Sequence, residues 1–330
     1  MKNEEQNMEL KMSDEKAGVN NEHLGVYIVA AALIIAGAWV YTSGPRNAYT
    51  PPKKDITPKT EVSELEEKVL PVDGVVLPVR WGDLGAKMVS VGVIDAQKFE
   101  QLYAGRGGLN SEIKRLLYGE SNSNLKITSE NSGLILNMFW ALGLGTKNNI
   151  LESGEMADSR YGGAENFAST GGWTLSRGNA MEHYSRHPFI VLTPEQQALV
   201  DKVSRGIYRP CCGNSTHFPD CNHGMAMLGL LELMASQGVS EQMMYKVALQ
   251  VNAYWFPDTY LTIATYMKNN KGIEWQDVNP QEVLGINYSS SQGYARIAAQ
   301  VVQPKEQRGG SGGCGVESDA PSRGGSGCGI

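Results

Sequence analysis

Thirteen residues, Cys211 to His223, hold three of the chain's five cysteines and two of its five histidines. With its flanks the segment reads "RPCCGNSTHFPDCNHGMAM", offering thiols at Cys211, Cys212 and Cys221 and imidazoles at His217 and His223. These are soft or borderline ligands. Zinc takes such groups tetrahedrally, and Cu(I) prefers thiolate with optional thioether. The expected ligands for Zn(II) or Cu(I) are therefore Cys211, Cys212, Cys221 and His223, with His217 in reserve. The glycine, asparagine and proline of "GNSTHFPD" suit a loop that folds back to bring its ends together. Met225 and Met227 add thioethers, but with Leu230, Leu231 and Met234 they have the spacing of a packed helix face.

Position strengthens the reading. Asp220 or Asn222 is suited to cap the helix that follows, which sets Cys221 and His223 at its N-terminus. The partial positive charge there lowers a thiol pKa and disfavours imidazolium, which favours the ligand-competent forms of both residues.

The spacing contains no C-x₂-C pair, so it is not a standard zinc ribbon or finger, and no C-x-x-C-H for haem attachment occurs. Three readings stay open. A bound metal is one. A disulfide, Cys212–Cys221 or the adjacent pair, is the second, favoured by an oxidising compartment. Inert buried thiols are the third. A redox variant uses Cys211 and Cys212 as the active pair and the tail residues Cys314 and Cys328 as a tethered shuttle, since a flexible tether gives millimolar effective concentrations. His183 and His187, at i and i+4 in "MEHYSRH", fit a short helix and could complete a site. Trp255, Phe256, Asp258 and Tyr260 in "YWFPDTY" could line a pocket, although core aromatics at a helix junction are the plainer explanation.

The elements that must hold this loop read as helices. Asp95 caps "AQKFEQLY", Asn110 caps "SEIKRLLY" before Gly119, and "NSGLILNMFWALG" has the apolarity of a buried helix. Thr193 and Pro194 open another, Ser240 a further one, and Asn279–Pro280 one more. "GVVLPVRW" and "NLKITS" are the only short strand candidates. The fold class expected is mainly α, a helical globular region over residues 69–303 with few or no strands. Within it, residues 143–173 read as a long glycine-rich connector.

The ends differ from this body. Leu24 to Tyr41 is an uncharged apolar run of eighteen residues, and at about 1.5 Å per residue it spans roughly 27 Å, near the hydrocarbon thickness. Residues 24–42 are therefore expected to form a single transmembrane anchor, with Trp39 and Tyr41 at the interface. The residues before it, 1–23, are acidic rather than basic, which favours an uncleaved anchor over a signal peptide. A short tail before one span places the large C-terminal region outside the cytoplasm. Residues 43–68, rich in Pro, Thr and charge, read as a semi-rigid stalk. Residues 304–330 are dominated by Gly and Ser and are expected to be disordered. The chain carries a formal charge of −6 and shows no basic stripe, so the expected partner is a membrane and not nucleic acid. It has no P-loop or H-E-x-x-H motif.

Pro210, Cys211, Cys212, Gly213, His217 and Cys221 resemble the cysteine segment of bacterial PCYCGC-motif proteins. The resemblance covers about fifteen residues; the aromatic residue between the first two cysteines of that signature, and its third cysteine, are missing here. It implies an extracytoplasmic, membrane-tethered protein with metal binding. The arrangement as a whole resembles single-span, membrane-anchored bacterial proteins.

Overall fold

Two helices with no polar face form the centre of this protein. In the computed structural model, which describes residues 58–105 and 107–301, every side chain from Leu134 to Leu144 is buried, and so is every residue from Asn222 to Ala235. A helix apolar all round needs cover on every side, so the remaining elements wrap these two.

In chain order the elements are α1 (Pro58–Val69), β1 (Val75–Gly82), α2 (Leu84–Val91), α3 (Ala96–Ala104), α4 (Ser111–Tyr118), β2 (Asn122–Ile127) and α5 (Ser132–Gly145). They continue as α6 (Asn149–Ser153), α7 (Ala168–Gly171), α8 (Pro194–Arg205), α9 (Asn222–Ser236), α10 (Glu241–Trp255), α11 (Pro257–Tyr266), α12 (Pro280–Leu284), α13 (Ile286–Ser289) and α14 (Ser291–Ala298). The mainly helical reading holds, and its caps are where expected. Asp95 accepts from the backbone N–H groups of Gln97 and Lys98, Asn110 from Ile113, and Thr193 and Gln196 form a reciprocal capping box.

The central helices α5 and α9 meet through glycine. A methyl group at Gly143 would lie 2.1 Å from the Met225 carbonyl oxygen, and one at Gly229 would lie 2.6 Å from that of Phe139. Backbone therefore packs on backbone, which only glycine permits on both sides. α9 also packs against α8 and α10, and α11 against α10, α14 and α1.

Both strand candidates are strands, paired antiparallel from Val75↔Ile127 to Gly82↔Asn122. The register shifts between Val76 and Arg80. Pro78 falls inside that interval and has no N–H to give to the ladder. Leu77, Val79 and Trp81 point into the core, and the Trp81 ring meets Phe139 edge-on at 5.7 Å.

Two expectations change. The segment read as stalk is helical from Pro58 onward, Leu65 packs on the core, and Lys68 pairs with Glu274 at 3.2 Å. The pattern of charge and proline hid an amphipathic helix whose apolar residues are few. Residues 143–173 are not a loose connector: α5 runs to Gly145, and α6, three 3₁₀ turns and α7 occupy the rest. Asn148 and Asp158 cap successive turns, and the Trp173 indole donates to the Val93 carbonyl at 2.9 Å. Local caps and one buried tryptophan do what a longer apolar run would do elsewhere.

No helix among the described residues is long and apolar enough to cross a membrane. The tail 1–23, the anchor 24–42, the first part of the stalk and the C-terminal segment with Cys314 and Cys328 all lie outside the described residues.

Candidate metal centre

The loop between α8 and α9 is tied at several points by its own backbone and by neighbouring elements. Tyr208 bridges to Ser215, the Thr216 N–H donates to the Ile207 carbonyl at 2.8 Å, and His217 donates to Ser204 at 3.2 Å. The Tyr208 N–H reaches Leu284 at the end of α12, Ser291 at the start of α14 donates to the Cys212 carbonyl, and Ser169 in α7 donates to the Asp220 carbonyl. A buried chain secures the base of the loop. Asn252 donates to the Tyr208 carbonyl and to the Tyr260 hydroxyl, which in turn donates to Ser289 at 2.8 Å, and Ser289 donates to Val283.

Arg209 is the hub. The residue is only 1% exposed, and every arm of the guanidinium is engaged. Nε donates to Cys221 Sγ at 3.0 Å, Nη1 to the Asn214 carbonyl at 3.2 Å, and Nη2 to the Phe218 carbonyl at 2.9 Å and to Asp220 Oδ1. Asn214 Nδ2 holds the second Asp220 oxygen at 2.8 Å. Gly224, in the first turn of α9, makes room for this: a Cβ there would lie 2.5 Å from Arg209 Cζ. Buried arginine is uncommon, and nothing in "YRPCC" distinguishes it from an exposed one. Sequence reasoning missed this residue and Gly224.

Around that hub three thiols and one imidazole converge. One ligand atom each from Cys211, Cys221 and His223 lie within 4.8 Å of one another, and so do those of Cys212, Asp220 and Cys221. This Cys/His cluster could hold a metal ion. Cys211 Sγ is 3.5 Å from Cys221 Sγ, and Cys211, Cys212 and Cys221 are all free thiols. Two sulfurs bound at about 2.3 Å to one ion sit roughly 3.8–4.0 Å apart, whereas a disulfide needs about 2.05 Å. The observed separation is a few tenths of an ångström from the first arrangement and far from the second. The loop is held by Arg209 and backbone bonds, not by a disulfide.

His223 occupies the second position of α9 and is 1% exposed. Its ring packs on Phe256 at 4.3 Å and edge-on to Trp255 at 6.0 Å. Residues read as plain core aromatics thus form the wall behind it. Neither His223 ring nitrogen has a hydrogen-bond partner. A buried imidazole without partners forfeits the hydration of both nitrogens, at a cost of about 1–3 kcal/mol for an unsatisfied group.

The cap itself differs from expectation. Cys221, not Asp220 or Asn222, is the N-cap of α9, and Asp220 is committed to Arg209 and Asn214. Burial alone would raise the Cys221 thiol, but hydrogen bonds from Cys211 and Cys212, the Arg209 guanidinium and the neighbouring His223 imidazole outweigh it and hold it well below the ordinary thiol range. The thiolate expected at Cys221 is supported, by neighbours more than by the helix end. Cys211 is raised well above the usual range by its bonds with Cys212 and Cys221 and by burial. At Cys212 the bond with Cys211 lowers the pKa, but the bond to Cys221 and burial win and push it up to about 12. The three thiols are thus split, Cys221 pushed down and Cys211 and Cys212 pushed up.

His217, the reserve ligand, is elsewhere. Its Nε2 faces Asp201 Oδ1 at 2.7 Å and Arg205 at 2.8 Å, beside an open cleft of about 1400 Å³. Asp201 and Arg205 engage Nε2, and His217 belongs to neither group of converging ligand atoms. His183 and His187 bond to each other at 3.2 Å, but His183 ends a 3₁₀ turn and donates its other nitrogen to the Arg177 carbonyl, so the pair sits on no helix and joins no cysteine. Compared with known proteins, the chain matches no family model, no curated protein and no solved structure, so the functional reading rests on the geometry of the centre itself.

Proposed function

We propose that this protein binds a thiophilic metal ion, Zn(II) or Cu(I), through Cys211, Cys221 and His223. The observation that carries the reading is His223: a wholly buried imidazole with both nitrogens unpartnered, one within 4.8 Å of two sulfurs. A metal would satisfy that nitrogen and draw on the thiolate already favoured at Cys221. Asp220 and Arg209 act on the ligands rather than as ligands of first choice, orienting Cys221 through the guanidinium. Membrane anchoring through residues 24–42, with the body outside the cytoplasm, belongs to the same proposal and rests on the apolar run of the sequence.

The test uses the full chain, extracted in detergent without added metal and then offered Zn(II) or Cu(I) anaerobically. Elemental analysis is expected to find a stoichiometric ion, lost in Cys221→Ser and at least tenfold weaker in His223→Phe. A protein that takes up neither metal while its thiols stay free to alkylation would overturn the reading.

A second reading has one observation behind it. The Cys211 and Cys221 sulfurs are in contact and Cys221 is poised as thiolate, so a thiol–disulfide function would use Cys211–Cys221 and not the adjacent Cys211–Cys212 pair. Mass analysis of the oxidised protein distinguishes the two pairings.

A further inference from the structure

Two ligand groups overlap in this centre and share a single residue. Cys211, Cys221 and His223 make the inner group; Cys212, Asp220 and Cys221 make the outer one. Burial orders them. Cys221 and His223 are 0% and 1% exposed, with Phe256 and Trp255 closing the far side of the His223 ring. Cys211, Cys212 and Asp220 remain partly exposed. The exposed edge of the centre is therefore formed by Cys211, Cys212 and Asp220.

The two groups also differ in strength. The inner one offers two sulfurs and an imidazole whose nitrogens are otherwise unpartnered. The outer one offers two sulfurs and a carboxylate that is already bonded to Arg209 and Asn214. A hard, occupied oxygen is a poor ligand for a soft ion, so the balance runs inward. Adjacent cysteines seldom serve one ion together, and here their side chains fall into different groups.

Building on the metal reading above, we infer that Cys212 is a capture ligand in a two-position relay. A soft ion delivered as a low-molecular-mass thiolate complex is taken first by Cys212 with Cys221, at the Asp220 edge. It then passes to Cys211 and His223 while Cys221 stays bound throughout. In the first step Cys221 and Cys212 displace two donor thiolates, one of which leaves with the Cys212 proton; in the second, Cys211 displaces Cys212 and hands it a proton while His223 adds as a neutral ligand, and no electron is transferred. Cys212 then governs how fast the ion arrives, and His223 how firmly it is kept.

The experiment mixes the full apo chain in detergent with Cu(I) held by excess glutathione, and follows the Cu(I)–thiolate absorbance by stopped flow. Cys212→Ser, isosteric and partly exposed, is expected to load about tenfold more slowly and to reach the wild-type stoichiometry and final affinity. His223→Phe is expected to capture at the wild-type rate and lose copper to a chelator at least tenfold faster. Full loading of Cys212→Ser at the wild-type rate overturns the relay and leaves the metal site standing. Loss of stoichiometry in Cys212→Ser makes it a permanent ligand and also overturns the relay. A wild-type chain that takes no copper removes both proposals together. Circular dichroism of each variant separates misfolding from these outcomes, and Cys212→Ala repeats the rate test if the serine variant misfolds.

Discussion

A guanidinium in the interior needs an anion and a full set of acceptors, and Arg209 has both in Cys221, Asp220 and two loop carbonyls. Burial opposes its charge, yet Cys221, Cys212 and Asp220 around it raise its pKa further above the ordinary guanidinium value. Burial in turn raises the Asp220 carboxyl against the pull of Arg209. The other buried charge candidate is handled oppositely. Glu232, 0% exposed on α9, accepts one hydrogen bond from Asn148, and its second oxygen has no partner. Burial pushes its carboxyl well above the ordinary value of 4.5, so the folded protein holds this proton to higher pH than the unfolded chain does. Above pH 4.5 the unfolded chain releases it and the folded chain does not, which favours unfolding. The contribution is about 1.4 kcal/mol of lost stability per pH unit until the folded pKa is reached. Glu232→Gln is expected to remove this slope. Guanidinium denaturation of both proteins between pH 5 and 8 should show the variant gaining on wild type as pH rises; parallel curves would refute a protonated Glu232.

Helix α9 brings the centre and the core together. Its first turn carries Cys221 as cap, His223, and Gly224 against Arg209; one turn and a half further on, Gly229 meets α5. Gly224→Ala tests what the first turn does. Alanine would gain about 1 kcal/mol of helix propensity, but its methyl group would displace a buried, fully bonded guanidinium. We expect a net loss of about 2–4 kcal/mol in denaturant unfolding. The Cys221 thiolate should lose its Nε–H donor in the same variant, so the pH profile of its alkylation should shift upward. A variant as stable as wild type with an unchanged profile would show that Arg209 does not depend on this glycine.

At the scale of the molecule, the folded body begins before the point where apolar periodicity becomes obvious. α1 packs on α11, Lys68 pairs with Glu274, and the Tyr254 hydroxyl donates to the Pro71 carbonyl at 2.8 Å. A truncation starting at Thr57 is expected to be more stable than one starting at Val69, with a Tm higher by several degrees, about 2–4 °C per kcal/mol at this size. Thermal melts compare them directly, and equal values would place α1 outside the cooperative unit. The Thr57 truncation also tests the anchor. Full chain should sediment with membranes and resist carbonate extraction, and the Thr57 truncation should not.

Much of this protein was legible in its residues, because the relevant physics is local. Caps at Asp95, Asn110, Thr193 and Ser240, the two strands, and the largely apolar runs of α5 and α9 follow from side-chain chemistry and period over a few residues. So did the Cys/His loop as the place where chemistry would occur. The tertiary structure alone decided which of its groups meet. Asp201, sixteen residues upstream, claimed His217; Asp220 went to Arg209 instead of capping α9; and Cys211 came to rest 3.5 Å from Cys221. Phe256 and Trp255, more than thirty residues beyond His223, built the dry wall that leaves its nitrogens without partners. Spacing names candidate ligands, but convergence depends on long-range packing, and a buried arginine has no signature in the sequence around it.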